Sequence, residues 1–281
     1  MRKLFLIFCL MLLVGTVAAQ DGGIALSPGR FELEMDPGTD TTVVINVDYR
    51  PGADPTKPAR LVASLNDWTI TKGAQIEYYP ANTRPNSASS WLTYTPAEAA
   101  VLPGTVHQIR VTISVPQNAT PGDHLTSLII EQRPENLHAT GNARQVVVKY
   151  RMASVFYIKV KNLTHKGDIN ELLAESTPEG VVVKPTLRNE GNSMIRPLGS
   201  AKVIDSDGKV AAEIPDFEMM PVLAGSEVDQ RFEIPAALRA GNYTVKCRVD
   251  FQDGRPPIEG VTDLVVKVTQ IAAADPPKKK P

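Results

Sequence analysis

Four histidines, Cys247 and two Asp-rich turns are the side chains in this chain that could do chemistry. His107, His124, His138 and His165 stand apart, and none has a His, Cys, Asp or Glu partner at the spacing a zinc site requires. Asp205-Ser206-Asp207-Gly208 and the pair Asp250 and Asp253 could be drawn as calcium ligands, but Asp-Ser-Asp-Gly and Gln-Asp-Gly are ordinary hairpin turns. Cys247 falls four residues after Tyr243 in an alternating run; with no base or cationic cluster beside it, it reads as a small core residue and not a reactive thiol. No nucleophile elbow, phosphate-binding loop or Gly-rich dinucleotide fingerprint occurs. The expectation is a protein that is not an enzyme and has no metal or cofactor.

The elements that would position any site are strands. Val115-Pro116, four residues, then Pro121-Gly122-Asp123-His124 is matched 119 residues later by Ile234-Pro235, four residues, then Ala240-Gly241-Asn242-Tyr243. Each copy is flanked by alternating strands, so each is one corner of a β-sandwich. Two corners imply two tandem sandwiches. His124 takes the place of Tyr243 in the repeat and reads as a hydrogen-bonded structural residue. After the first nineteen residues no segment keeps a 3.6-residue period, so the chain reads as all-β.

Those nineteen residues read as a cleaved secretory signal: Arg2 and Lys3, an apolar run Leu4 to Val14, and Val17-Ala18-Ala19 before Gln20. The run is too short to span a bilayer comfortably and is not repeated, so no integral membrane span is expected. Removing the signal removes Cys9 and leaves Cys247 alone, so each core must hold by packing without a disulfide. Thirty basic against thirty-one acidic residues, interspersed, give a net charge of −1, which excludes the concentrated basic face of a nucleic-acid binder. Lys278-Lys279-Lys280 sits between prolines and reads as a solvated tail.

Along the chain, residues 24–34 form a first strand broken at Pro28-Gly29, placed at an edge or switching between sheets. Thr41 to Val47 alternates, with Val43, Ile45 and Val47 on one face. Strands follow at 60–68, 75–79, 106–115 and 125–132, with a long polar loop over 80–90. Trp91, Tyr94, Tyr78 and Tyr79 flank that loop. They could form a carbohydrate or peptide platform, but the favoured reading places Trp91 in the core and the tyrosines half exposed. Gln145 to Val160 is too long for one ordinary strand and closes the first domain. The expected division is a signal over 1–19, an N-terminal domain over 20–162, a C-terminal domain over 163–270 and a Pro/Lys tail over 271–281. In the second domain, strands are expected at 180–187, 200–204, 227–234, 243–251 and 260–268.

A signal peptide, two immunoglobulin-like domains without a disulfide and a long closing strand resemble the periplasmic pilus-assembly chaperones of the usher pathway. The local matches are Ala25-Leu26-Ser27-Pro28-Gly29-Arg30, Leu125 to Pro134, and Val155-Phe156-Tyr157, covering residues 24–160 best. The resemblance implies two tandem immunoglobulin-like sandwiches, a periplasmic location, pilin-like exported subunits as partners and an outer-membrane usher as a possible further partner. It implies capture by β-strand addition, the closing strand lending its edge to a subunit that lacks a strand. The donor edge would be Gln145 to Arg151, with Val146 and Val148 on one face, Val147 on the other, and Lys149 and Arg151 following. The family also anchors the subunit's terminal carboxylate with an Arg of the first strand and a Lys of the closing strand. Arg30 fits the first, whereas Ser154 stands where the Lys belongs. The second domain looks more like generic sandwich modules of bacterial surface proteins, so the alternative function is a structural or adhesive cell-surface module.

Overall fold

A computed structural model describes residues 23–50, 56, 58–133 and 149–267. Val146, Val147 and Val148 fall outside these residues, as do the signal segment, Cys9, His138 and the Pro/Lys tail. Among the described residues the chain is all-β, relieved by a single 3-10 turn at Ser89–Trp91.

The N-terminal sandwich has two sheets. One orders β1 (Gly23–Ser27), β3 (Asp40–Arg50), β8 (Val106–Ser114) and β6 (Leu92–Thr95). The other orders β2 (Arg30–Met35), β10 (Arg151–Val160), β9 (Gly122–Arg133), β4 (Ala59–Ile70) and β5 (Ile76–Pro80), with β7 (Glu98–Val101) also on β4. The break at Pro28-Gly29 acts as the sequence suggests. Before it the chain pairs antiparallel with β3; after it the chain pairs parallel with β10, Arg30 opposite Val155. Proline has no N–H for a ladder, so it occupies the place where the strand changes sheets.

The C-terminal sandwich packs β11 (Gly167–Thr177), β12 (Gly180–Asn189), β15 (Glu227–Asp229) and β16 (Phe232–Pro235) against β14 (Val210–Glu218), β13 (Leu198–Asp205), β17 (Gly241–Asp250) and β18 (Ile258–Val266). Its core holds Val183, Leu187, Val203, Val245, Val249 and Cys247, all fully buried. Burial alone pushes the Cys247 thiol up to about 12, so it is an inert core residue.

One sandwich core is confined and the other is not. Ile45, Val47, Val111, Ile113, Leu128, Ile130, Phe156 and Ile158 form a core inside the first sandwich. The second core continues across the junction to Trp68, Ile70, Leu125 and Tyr157 on the outer face of the first. Trp68 and Tyr157 meet edge to face at 5.1 Å, worth about 0.5–1.5 kcal/mol beyond the area they bury. The Trp68 indole N–H donates to the Thr126 carbonyl at 2.9 Å. Asp67, buried beneath the 80–90 loop, accepts from the Thr83 and Arg84 N–H groups and the Ser87 and Ser89 hydroxyls. Burial would raise its carboxyl, but these four donors outweigh burial and hold it below the usual range. Trp91 packs partly against the first core, with its ring 4.3 Å from that of His124.

Candidate partner-binding site

The site is built on β10. Tyr150 accepts from the Gln132 N–H of β9 at 3.0 Å, while the Val155 N–H donates to Gly29 on the opposite side. Main-chain groups alternate direction along a strand. The N–H and C=O of Arg151 and Ala153 therefore point the same way as those of Val155. There β2 begins only at Arg30, and no strand among the described residues pairs with them. Among the described residues this leaves a short stretch of sheet edge open.

The side chains of this stretch follow the same parity. Phe156 and Ile158 enter the core, and Phe31 stacks on Phe156 at 4.9 Å. Further back along the same row, Met152 is 43% and Tyr150 36% exposed, because the core beneath the row has ended. Apolar side chains thus emerge into solvent beside unpaired backbone. Ser154 lies in this row too and is fully buried; its hydroxyl donates to the Pro28 carbonyl at 2.9 Å. That position faces the core and ties the closing strand to the kink, which is why it holds a small hydroxyl and no cleft cation.

The opposite parity forms the outer face. Arg30 is there, half exposed, with its guanidinium 3.3 Å from Glu32. Glu32 also accepts from Lys159 at 3.1 Å and from Arg196 of the second sandwich at 2.7 Å, and Arg196 reaches Glu218 at 3.4 Å. One carboxylate is thus surrounded by three cations from two strands and a loop. Burial would raise the Glu32 carboxyl, but the hydrogen bonds from Lys159 and Arg196 outweigh it and hold it below the usual range. Arg196 lies over the Tyr157 ring at 5.9 Å, and burial pushes that phenol up to about 12.

A second junction contact lies beside it. The Asp123 carboxylate, 5% exposed, accepts from the Ser193 hydroxyl at 2.8 Å and the Met194 N–H at 2.6 Å. The Asp123 N–H donates to Asn192 at 2.9 Å. A third contact runs from the β4–β5 turn, where the Asp229 N–H donates to Lys72 at 2.7 Å.

Among the site residues expected from sequence, Arg30 and Arg151 share the outer face of one sheet, and Lys149 precedes β10, exposed. Val146, Val147 and Val148 lie outside the described residues. Tyr150 and Met152 were missed; the signal was the alternation Tyr150, Met152, Ser154, Phe156 that continues the valine row. Glu32, Lys159 and Arg196 were missed as well, and no local pattern could have joined Glu32 to Arg196 across the junction. His124 bonds the Thr120 carbonyl at 2.9 Å. Asp205 and Asp250 cap their own turns, accepting from the Asp207, Lys209 and Gln252 N–H groups. Among the described residues no group of three His, Cys, Asp or Glu could hold a metal, and no helix is long and apolar enough to cross a membrane.

No known family model matches this sequence, and no curated protein sequence does. Solved structures are similar in outline. A chain from the structure of a chaperone–tip adhesin complex of CFA/I fimbriae is 9% identical, with a TM-score of 0.47, over 85% of this chain and 98% of that one. A chain from the Salmonella enterica SafA pilin–SafB chaperone complex is 14% identical, with a TM-score of 0.43, over 85% and 96%. The Pseudomonas aeruginosa CupB2 chaperone is 14% identical, with a TM-score of 0.39, over 86% and 100%. These values describe a shared outline, and the architecture itself is fixed by the sheets described above.

Proposed function

We propose that this protein is an exported, non-enzymatic chaperone of the usher-pathway type, acting in the periplasm on pilin-like subunits. It would capture a subunit that lacks a strand by adding the edge at Gln145 to Arg151, continued through Ala153, to the subunit's sheet. The observation that carries this reading is the open main chain of Arg151 and Ala153 beside the exposed side chains of Tyr150 and Met152. Main-chain bonds would supply affinity and the alternating apolar row would fill the subunit's groove. Residues 20–162 would be the capturing unit and 163–270 the second unit, with an outer-membrane usher as the next partner.

The resemblance also asks for a carboxylate anchor. Ser154 is buried toward the core and cannot serve. Arg30, with Lys159 and Arg196 close around Glu32, supplies the positive charge instead, and Glu32 holds the place that an incoming terminal carboxylate would contest.

The test is co-expression with a pilin-like subunit lacking its final strand, followed by co-purification. Met152→Asp, which puts a charge into the apolar row, is expected to reduce capture at least about tenfold. Val265→Asp, on a more exposed strand residue of the second sandwich, is expected to leave capture unchanged. Equal capture by both variants and the unaltered protein would remove strand addition. Binding to isolated cell wall without capture would favour the surface-module alternative.

A further inference from the structure

Among the described residues, the outer face of the N-terminal sheet carries an excess of positive charge beside the open edge. Cross-strand register sets Arg60 opposite Arg133, and Arg151 opposite Glu131. One residue pair further, and consistent with the Gln132–Tyr150 bond, Lys149 lies across from Arg133. β4, β9 and the residues leading into β10 therefore present Arg60, Arg133 and Lys149 in one row, with Arg151 next at the start of β10. Like charges directly opposite each other destabilise a sheet. Among the described residues none of Arg133, Lys149 and Arg151 joins an ion pair; Arg133 feels only the Glu98 carboxylate, which it shares with Arg60, and Arg151 stands across from Glu131. The carboxylates nearby are Glu98, which Arg60 holds and whose carboxyl the hydrogen bond from Arg60 keeps low, and Glu131. Arg151 also feels the Tyr78 phenol, another group of this face.

The second sandwich handles its exposed cations differently. On its outer sheet Lys202 meets Glu213 at 3.8 Å, Lys246 meets Glu259 at 2.9 Å and Arg248 meets Asp216 at 3.6 Å. Each of these three second-sandwich cations has its own carboxylate, whereas beside the open edge the four cations Arg60, Arg133, Lys149 and Arg151 stand among two carboxylates, Glu98 and Glu131.

We infer that the polypeptide added at the β10 edge is acidic: its side chains on the face toward Arg133, Lys149 and Arg151 are carboxylates. This rests on the strand-addition reading and adds a specificity rule to it. The apolar parity of the partner enters the groove-filling row with Met152, and the opposite parity meets the cationic line. A phosphate-rich surface would satisfy the charge but would have no use for unpaired N–H and C=O groups at the same place. Individual exposed ion pairs are weak, but three acting together raise the association rate and penalise a basic partner.

The experiment uses the full mature chain and three acetylated ten-residue peptides with one alternating valine frame and glutamate, serine or lysine at the intervening positions. At low salt the glutamate peptide should bind roughly tenfold tighter than the serine peptide, and the lysine peptide weakest. Salt near 0.5 M should collapse the difference, since the Debye length falls to a few ångströms (about 3–5 Å). A triple variant, Arg133→Glu, Lys149→Glu and Arg151→Glu, changes only exposed side chains. It puts carboxylates across from one another at 151 and 131, so a small fall in Tm is expected, but it should remain folded and invert the order to favour lysine. Equal binding of glutamate and serine peptides, or an order unchanged in the triple variant, would overturn the inference while leaving strand addition standing. Failure of all three peptides to bind would remove strand addition and this rule together. Displacement of the glutamate peptide by phosphatidylglycerol vesicles would also overturn the rule and assign the line to lipid.

Discussion

The corner at Val115 to His124 and its counterpart at Ile234 to Tyr243 are the same structure at the level of hydrogen bonds. Gly122 pairs with Val160, the last residue of β10, and Gly241 with Val266, the last residue of β18. The His124 Nε2–H donates to the carbonyl four residues back, Thr120, at 2.9 Å; the Tyr243 hydroxyl donates to the carbonyl four residues back, Arg239, at 3.0 Å. Their surroundings differ completely. Gly122 has φ +117° and sits against Asn192 of the other sandwich, where a Cβ would come within 2.7 Å of the carbonyl oxygen. Gly241 has no such φ and no close neighbour. Asp123 is buried in the junction, while Asn242 is exposed. One corner pattern therefore gives a free end in the second sandwich and a hinge bearing in the first. The residue after the glycine, carboxylate or amide, separates the two uses.

The difference should be largest at the glycines. Gly122→Ala is expected to destabilise the protein by roughly 2–4 kcal/mol, from a strained backbone plus a clash with main chain that cannot move aside. Gly241→Ala should be neutral or stabilising by about 0.5 kcal/mol. Chemical denaturation of both variants measures this, and equal losses would mean that the first corner is no tighter than the second. Next comes Asp123→Ala, which leaves the Met194 N–H and the Ser193 hydroxyl buried without a partner and should cost about 1–3 kcal/mol. Asn242→Ala, at an exposed site, should stay within about 0.5 kcal/mol.

Much of this fold was legible from local chemistry. Pro28-Gly29 announced the sheet switch because proline has no donor for a ladder, and the two Pro-to-Gly corners fixed the number of sandwiches. What escaped were β7, β11 and β14. Glu171-Leu172-Leu173-Ala174 within β11 and Ala211-Ala212-Glu213 within β14 are made of helix-favouring residues and lack the alternation of a half-buried strand. They are strands because β12 and β13 offer them open ladders, and tertiary pairing overrides weak propensity. The site was half legible. Arg30, Lys149 and Arg151 lie on one face, as their parity allows, but the direction of Ser154 depends on which residue of β10 first enters the core. The Glu32–Arg196 pair spans 164 residues and exists only because the junction brings the sandwiches together.

The aromatic position of the two corners gives a smaller contrast. His124 is buried, so His124→Phe leaves the Thr120 carbonyl without its donor in a dry place, and about 1 kcal/mol should be lost. Tyr243→Phe at its half-exposed site lets water take the Arg239 carbonyl and should cost about 0.5 kcal/mol or less. Thermal unfolding of the two variants side by side would break the comparison if the order were reversed.

The least expected effect is in pH, and only the first corner should have it. Burial outweighs the hydrogen bonds from Met194 and Ser193 and raises the Asp123 carboxyl above its ordinary 3.8. A carboxyl raised on folding binds its proton more tightly in the native state than in the unfolded chain. Its contribution is therefore fullest below pH 3.8 and declines as pH rises through the elevated native value, then levels off. Asp123→Asn keeps the shape and cannot titrate, so the Tm difference between the unaltered protein and this variant should shift in favour of the variant as pH rises from the acid side. Asn242→Asp is the mirror test. Its new carboxylate would be exposed, so its Tm difference from the unaltered protein should stay nearly flat over the same range. A sloping difference there, or a flat one at Asp123, would mean that the two corners do not differ in burial as the junction requires.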